Sequence, residues 1–180
     1  MSPVEKKILE AMNYYRSLHN SPPLEWSHEL TPNPVNRDEC GTINTDVGTN
    51  GVFGVFSKFS KPQSAVVGVY IGIESMPVSG KRDGHNSASS QMLWDTATKV
   101  GCRFDSNENC SVIEHGGNLY NSFLTCMFDV NADGGNADEH VGPMVSGIDI
   151  YVPEEVNIFL TSERLFNEID DGSGSGSISP

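Results

Sequence analysis

Asp129-Val130-Asn131-Ala132-Asp133-Gly134 sets oxygen-bearing side chains at alternate positions and follows them with a glycine. Calcium loops open this way, because carboxylate and amide oxygens replace the hydration shell of a hard cation. The twelfth position of such a loop is His140, where a bidentate glutamate is wanted. Asp129, Asn131 and Asp133 therefore describe a weak calcium site, and an ordinary turn rich in Asp, Asn and Gly accounts for the same residues. Imidazole is the second source of chemistry. His85 sits in the polar stretch GKRDGHNSASS beside Ser87, Ser89 and Ser90. Those serines have neither a nucleophile-elbow context nor a placed acid, and an ordinary histidine in a solvated loop accounts for His85. His19 and His28 flank the turn after the first helix, and His115 and His140 lack a spaced partner.

Cys40, Cys102, Cys110 and Cys126 are even in number and lack zinc-ligand spacing. Two disulfides in an oxidising compartment are the expected reading; four buried thiols in a reducing one are the alternative. Asn109-Cys110-Ser111 is a glycosylation sequon whose middle residue is itself one of these cysteines.

The elements that must position these groups are read from patterning. Ser2-Pro3-Val4-Glu5 is a capping box with proline at the first helical position. Val4, Ile8, Leu9, Met12, Tyr15 and Leu18 follow at helical spacing, and Asn20-Ser21-Pro22-Pro23 ends the run. Two prolines between Thr31 and Asn36 delay or break any second helix. Gly48 to Gly54 reads as a glycine-rich turn. SAVVGVYIGIESM, residues 64–76, fits a helix or a buried strand, and its β-branched content favours strand. Ser79 to Ser90 reads as a polar loop, with strands around Lys99–Cys102 and within Leu119–Val130. Residues 157–169 carry the spacing of an amphipathic helix, and 172–180 form a flexible Gly/Ser tail. Without regular βαβ units, this mixture predicts an α+β layered fold.

Length and charge limit the function. The chain has 180 residues, 24 acidic against 11 basic, for a net charge of −13. One domain is expected at this length. The acidity excludes nucleic acid and anionic membrane surfaces as partners. No run approaches the ~18 apolar residues of a membrane span. From residue 143 onward there are seven acids and one arginine, a net of −6, so nearly half of the excess negative charge belongs to the end of the chain.

Three segments together resemble one family. ILEAMNYYRSLHNSPPLEW is similar to the opening helix and turn of CAP proteins, the cysteine-rich secretory, antigen 5 and pathogenesis-related superfamily. SSQMLWDTATKVGC is similar to its signature run followed by Val-Gly-Cys, and SFLTCMFDVNADGGN resembles its later strand and turn. The resemblance covers about residues 4–142. It implies a three-layer α-β-α sandwich, with 1–142 as the CAP-like domain and 143–171 as an acidic extension. It also implies a helix, not a strand, for SAVVGVYIGIESM, and disulfides Cys40–Cys102 and Cys110–Cys126.

The resemblance implies a cleft as well, where two His and two Glu of many CAP proteins converge and can hold a divalent metal. Here those positions are Met12, Thr49, Gly72 and Ala88. None is a comparable ligand or base, so no cofactor and no catalysis are expected. The expectation is a secreted, monomeric, non-enzymatic protein that binds a protein partner or a small apolar ligand, a sterol or fatty acid, in defence, host interaction or signalling. The opening residues read as an amphipathic helix rather than a leader, so secretion implies a mature chain. A hydrolase with a metal site rearranged around His85 and a calcium module built on 129–134 are the alternatives.

Overall fold

The computed structural model describes residues 1–33, 50–71, 88–106, 108, 110, 113–115, 118–132 and 136–171. Helix α1 (Pro3–Leu18) starts where its capping box places it. The Ser2 hydroxyl accepts from the Glu5 amide, and the Glu5 carboxylate accepts from the Ser2 amide. It stops where Asn20 takes a φ of 56°, a left-handed conformation that asparagine tolerates. In chain order there follow β1 (Glu25–Trp26), a 3₁₀ turn (His28–Leu30), β2 (Gly51–Ser57), α2 (Pro62–Ile71), α3 (Ala88–Leu93) and β3 (Lys99–Ser106). The rest are β4 (Glu114–His115), β5 (Asn118–Leu119), β6 (Ser122–Phe128), α4 (Ala137–His140) and α5 (Glu154–Asp171).

The main sheet has the order β1-β3-β6-β2. Strand β1 runs parallel to β3, and β6 is antiparallel to both β3 and β2. β6 is buried at every position but Met127. A central strand covered on both faces has no reason to alternate, and SFLTCMF does not. Helices α1, α2 and α3 pack together against the sheet, and the core runs through Ile8, Met12, Phe53, Val66, Met92, Leu124 and Phe128. The 3₁₀ turn lies on β3 because residue 101 is glycine: a Cβ there would stand 2.4 Å from the Ser27 carbonyl oxygen and 2.5 Å from the Leu30 carbonyl carbon. The architecture is α+β, an α-β-α sandwich.

Several sequence expectations change. Gly51 to Gly54 is strand β2 rather than part of a turn. Residues 64–71 of SAVVGVYIGIESM are helical, in α2, as the family resemblance implied and against their β propensity. Every α2 residue from Ser64 to Val69 is buried, and a helix surrounded by core is apolar all round, so its pattern carries no helical period. Ser89 and Ser90 belong to α3, not to a polar loop. The remainder of that loop, the proline segment after Asn33, and the Gly/Ser tail lie outside the described residues.

The disulfide pairing is also corrected. Cys102 and Cys126 are directly opposed on β3 and β6 and are bonded to each other, with Cα atoms 4.1 Å apart. This replaces both expected links, Cys40–Cys102 and Cys110–Cys126. The cause is register: a bridge needs Cα atoms within about 7 Å, and antiparallel pairing sets these two cysteines side by side. Cys110 is disulfide-bonded too; Cys40 lies outside the described residues.

The acidic extension packs on the domain. Val156 is completely buried in the main core, and Phe159 meets Phe59 edge to face at 5.7 Å. The Glu155 carboxylate accepts from both the amide and the hydroxyl of Ser60 at 2.9 Å, just ahead of α2. Negative charge at that end of α2 is favoured by the helix dipole. Among the described residues no helix is long and apolar enough to cross a membrane.

Candidate functional site

Lys7, Glu10, Ala11, Tyr14 and Tyr15 recur along α1 at i, i+3, i+4, i+7 and i+8, which sets them on one side of the helix. Together they form one wall of a groove of about 330 Å³. Gln63 and Val67, one turn apart on α2, form the second wall, and Tyr151 and Pro153 form the third. The volume is at the lower end for small-molecule sites, and the mixture of aromatic and aliphatic walls with a few polar groups is typical of them.

The third wall is an extended strap, residues 142–153, held to α1 by hydrogen bonds. The Val145 amide donates to the Leu18 carbonyl at 2.7 Å. The Tyr14 hydroxyl accepts from the Tyr151 amide at 2.8 Å and donates to the Asp149 carbonyl at 3.4 Å. The Tyr15 hydroxyl donates to the Tyr151 carbonyl at 2.7 Å. Behind them Tyr15 stacks on Tyr70, with ring centroids 4.2 Å apart. Burial, then the neighbouring Tyr14, Tyr70 and Tyr151, raises the pKa of Tyr15 well above the usual tyrosine value. Burial also raises that of Tyr70. These hydroxyls stay protonated and able to donate.

A second polar centre lies on the buried side of α1. Arg16 is completely buried, and its guanidinium is held by backbone carbonyls. Its guanidinium donates to the carbonyls of Pro22 (2.7 Å), Met92 (2.8 Å), Trp94 (2.9 Å) and Ala97 (2.9 Å). Burial lowers its pKa to about 10, against the pull of Asp95 and Asp129, and it remains charged at neutral pH. Gln91 does similar work further along. Its amide donates to the Val130 carbonyl and accepts from the Ala132 amide, closing the turn after β6.

The sequence-predicted residues separate. Met12 is fully buried in the core, and Ala88 packs at the edge of the same cluster. Ala88 has no donor atom, and Met12 offers only a buried thioether, so these two positions do not fit the divalent cation that the resemblance implied. Thr49, Gly72, His85 and Asp133 lie outside the described residues. Asn131 is exposed. The two oxygens of Asp129 accept from the Thr98 amide, the Thr98 hydroxyl and the Lys99 amide. Burial alone would raise the Asp129 pKa, but these hydrogen bonds outweigh it and hold the group below the usual carboxylate range. A cation at Asp129 has to compete with them.

The histidines are engaged separately. His19 Nδ1 donates to the Gly142 carbonyl at 2.6 Å, which leaves Nε2 to accept from the Tyr70 hydroxyl at 3.1 Å. His140 pairs with Asp95 at 2.8 Å and stacks on Trp94. His28 lies 3.9 Å from Glu5 on the surface. Among the described residues no three His, Cys, Asp or Glu side chains come together as a metal set.

Tyr14, Tyr151, Pro153 and Arg16 were not singled out from sequence. A signal was present for two of them. Lys7-Glu10-Ala11-Tyr14-Tyr15 is a helical stripe beside the core stripe, and Ile8, Met12 and Arg16 stand at i, i+4 and i+8 on the buried face.

No protein-family model matches the sequence, and no curated protein matches it. Solved structures do. The crystal structure of NaASP2 with Zn²⁺ superposes with a TM-score of 0.50 at 15% identity, over 80% of this chain and 88% of that one. Schistosoma mansoni venom allergen-like protein 4 gives 0.42 at 13% identity, over 87% of this chain and 99% of that one. The hookworm platelet inhibitor gives 0.39 at 16% identity, over 77% and 72%. At 15% identity the likeness to NaASP2 speaks to architecture alone, and the architecture is the one the three sequence segments resembled: the chain has the CAP fold.

Proposed function

We propose that the protein is a secreted, non-enzymatic CAP-fold protein that binds a small apolar ligand in the groove between α1, α2 and the 142–153 strap. The observation that carries this reading is the lining itself. Ala11, Tyr14, Tyr15, Val67, Tyr151 and Pro153 offer a concave and mainly apolar surface, with Lys7, Glu10 and Gln63 as its polar groups. The cleft positions support the absence of catalysis. NaASP2 was solved with zinc, but Met12 and Ala88 offer no ligand of the kind zinc takes. The Cys102–Cys126 bond and the bonded Cys110 support an oxidising compartment.

The test is a panel of fluorescent fatty-acid and sterol probes titrated against the purified protein. Saturable one-to-one binding is expected, and Ala11→Arg, which places a cation in the wall of the groove, should abolish it. Linear, unsaturable signal with every probe removes the reading.

A further inference from the structure

The groove has a polar order along α1 that a sterol does not use and a fatty-acid carboxylate matches only at Lys7. Three tyrosine rings meet there near right angles: Tyr14 and Tyr15 at 5.0 Å and 80°, Tyr14 and Tyr151 at 6.4 Å and 89°. Perpendicular neighbours form the corner of a box. Tyr15, 1% exposed, stands at the back, and Tyr151, 66% exposed, stands at the mouth. The rings are set before any ligand arrives, since Tyr15 is stacked on Tyr70 and the Tyr14 and Tyr15 hydroxyls hold the strap. That preorganisation lowers the entropy cost of binding. The faces of such rings carry negative quadrupole density, and they favour a large, weakly hydrated cation.

Two charges extend outward from the rings in a fixed sequence. Glu10 precedes Tyr14 by one turn, about 6 Å along the axis, and Lys7 lies about 10 Å away. Both line the groove and both are exposed. Glu10 also meets Lys6 at 3.7 Å, an exposed pair that holds it weakly. A free cation in the groove gains from the rings and Glu10 but meets Lys7. A free anion gains from Lys7 but meets Glu10. A zwitterion with its cation innermost is matched at each point.

We infer that the groove binds the phosphocholine group, with the trimethylammonium in the corner between Tyr14 and Tyr151 beside Glu10, the buried Tyr15 backing that corner, and the phosphate toward Lys7. This rests on the groove being the ligand site, and it names the polar end of that ligand; the group can be free or the head of a lysolipid.

Isothermal titration calorimetry of the intact chain tests it, with phosphocholine, phosphoethanolamine, inorganic phosphate and lysophosphatidylcholine below its micellar concentration. Phosphocholine should bind one to one, with phosphoethanolamine at least about tenfold weaker because its small, strongly hydrated ammonium gains less from the rings. Tyr151→Leu and Glu10→Gln should each weaken binding about tenfold, and Lys7→Gln about threefold with a flatter salt dependence. Tyr151→Phe, which keeps the ring, should bind like the parent. Tighter binding of the lysolipid than of phosphocholine identifies a lipid source, and equal binding identifies the free head group. No saturable heat with phosphocholine up to about 10 mM, or equal affinity for phosphoethanolamine, overturns the inference. An apolar probe that binds and is not displaced by phosphocholine overturns it while leaving the groove reading intact. Phosphocholine binding that Tyr151→Leu weakens, without any apolar-probe binding, keeps the groove as the site and this inference but removes the apolar ligand.

Discussion

Helix α1 carries two polar centres built on opposite principles. On its buried side Arg16 keeps a full charge away from water, and four backbone carbonyls, one from Pro22 and three from residues 92–97, satisfy it. On the other side Tyr14 and Tyr15 hold the strap through neutral hydroxyls, next to a groove that solvent reaches. Burial makes the first centre costly to alter, because every carbonyl it serves is left unpaired when it goes. The second is more adjustable at Tyr14, whose strap hydrogen bonds are exposed and can be replaced by water, than at the buried Tyr15. The difference separates what holds the scaffold from what remains free to change for a ligand.

Substitutions ranked by expected effect probe that separation. Arg16→Met should lower stability by at least about 3 kcal/mol in urea unfolding. Arg16→Lys should recover little, because one ammonium cannot reproduce a fork of donors to several carbonyls. If Arg16→Met costs no more than a surface change, the two centres are alike and the distinction fails. Joint replacement of Cys102 and Cys126 by serine should cost about 3 kcal/mol in the chain-entropy view of a loop spanning a separation of 24 residues. Peptide mapping without reduction should find Cys102 joined to Cys126. Tyr14→Phe removes two strap hydrogen bonds and should cost about 1 kcal/mol, with faster hydrogen exchange at the Tyr151 amide as the local sign. A slow Tyr151 amide in that variant shows that packing alone holds the strap.

The smallest effects depend on pH. Asp129 and Glu155 both titrate below the usual carboxylate range. For Glu155, burial alone would raise the pKa, but the Ser60 amide and hydroxyl and the charge of Lys61 help to outweigh it. A depressed folded-state pKa means stability that is present above the unfolded value and is lost as the pH falls through the folded one. Asp129→Asn and Glu155→Gln should therefore each be slightly less stable than the parent at pH 7, by under about 1 kcal/mol. The gap should close at acid pH, once the parent carboxylates are protonated. Parallel stability–pH curves for parent and variants contradict this assignment.

Local signals in the sequence were read correctly where they are governed by local physics. The Ser2–Glu5 box and the stripe through Ile8 and Met12 define α1 without reference to the rest of the chain. Propensity alone pointed α2 toward strand because Val66, Val67 and Val69 are β-branched and the surrounding core removes the polar face that would have revealed a helix; only the family resemblance implied the helix that is found. The cysteine pairing was misread because it depends on the register of β3 against β6, which neither cysteine spacing nor family likeness specifies. The groove was invisible for a different reason. Tyr14 and Tyr151 are 137 positions apart, and only the folded strap brings them together. Arg16 was legible in principle, since its spacing from Met12 put it on the buried face, but a charged residue inside an apolar stripe invites being passed over.

The strap also orders events in time. During synthesis α1 emerges first, and the residues that bond its tyrosines follow some 135 positions later. Contacts of such separation form late, because the intervening loop must close before they are rewarded. The sheet and the Arg16 centre need only residues up to about 130, so they can assemble while the third wall is still unmade. The third wall of the groove is then completed late, and a chain halted before residue 149 would lack every strap group that bonds Tyr14 and Tyr15.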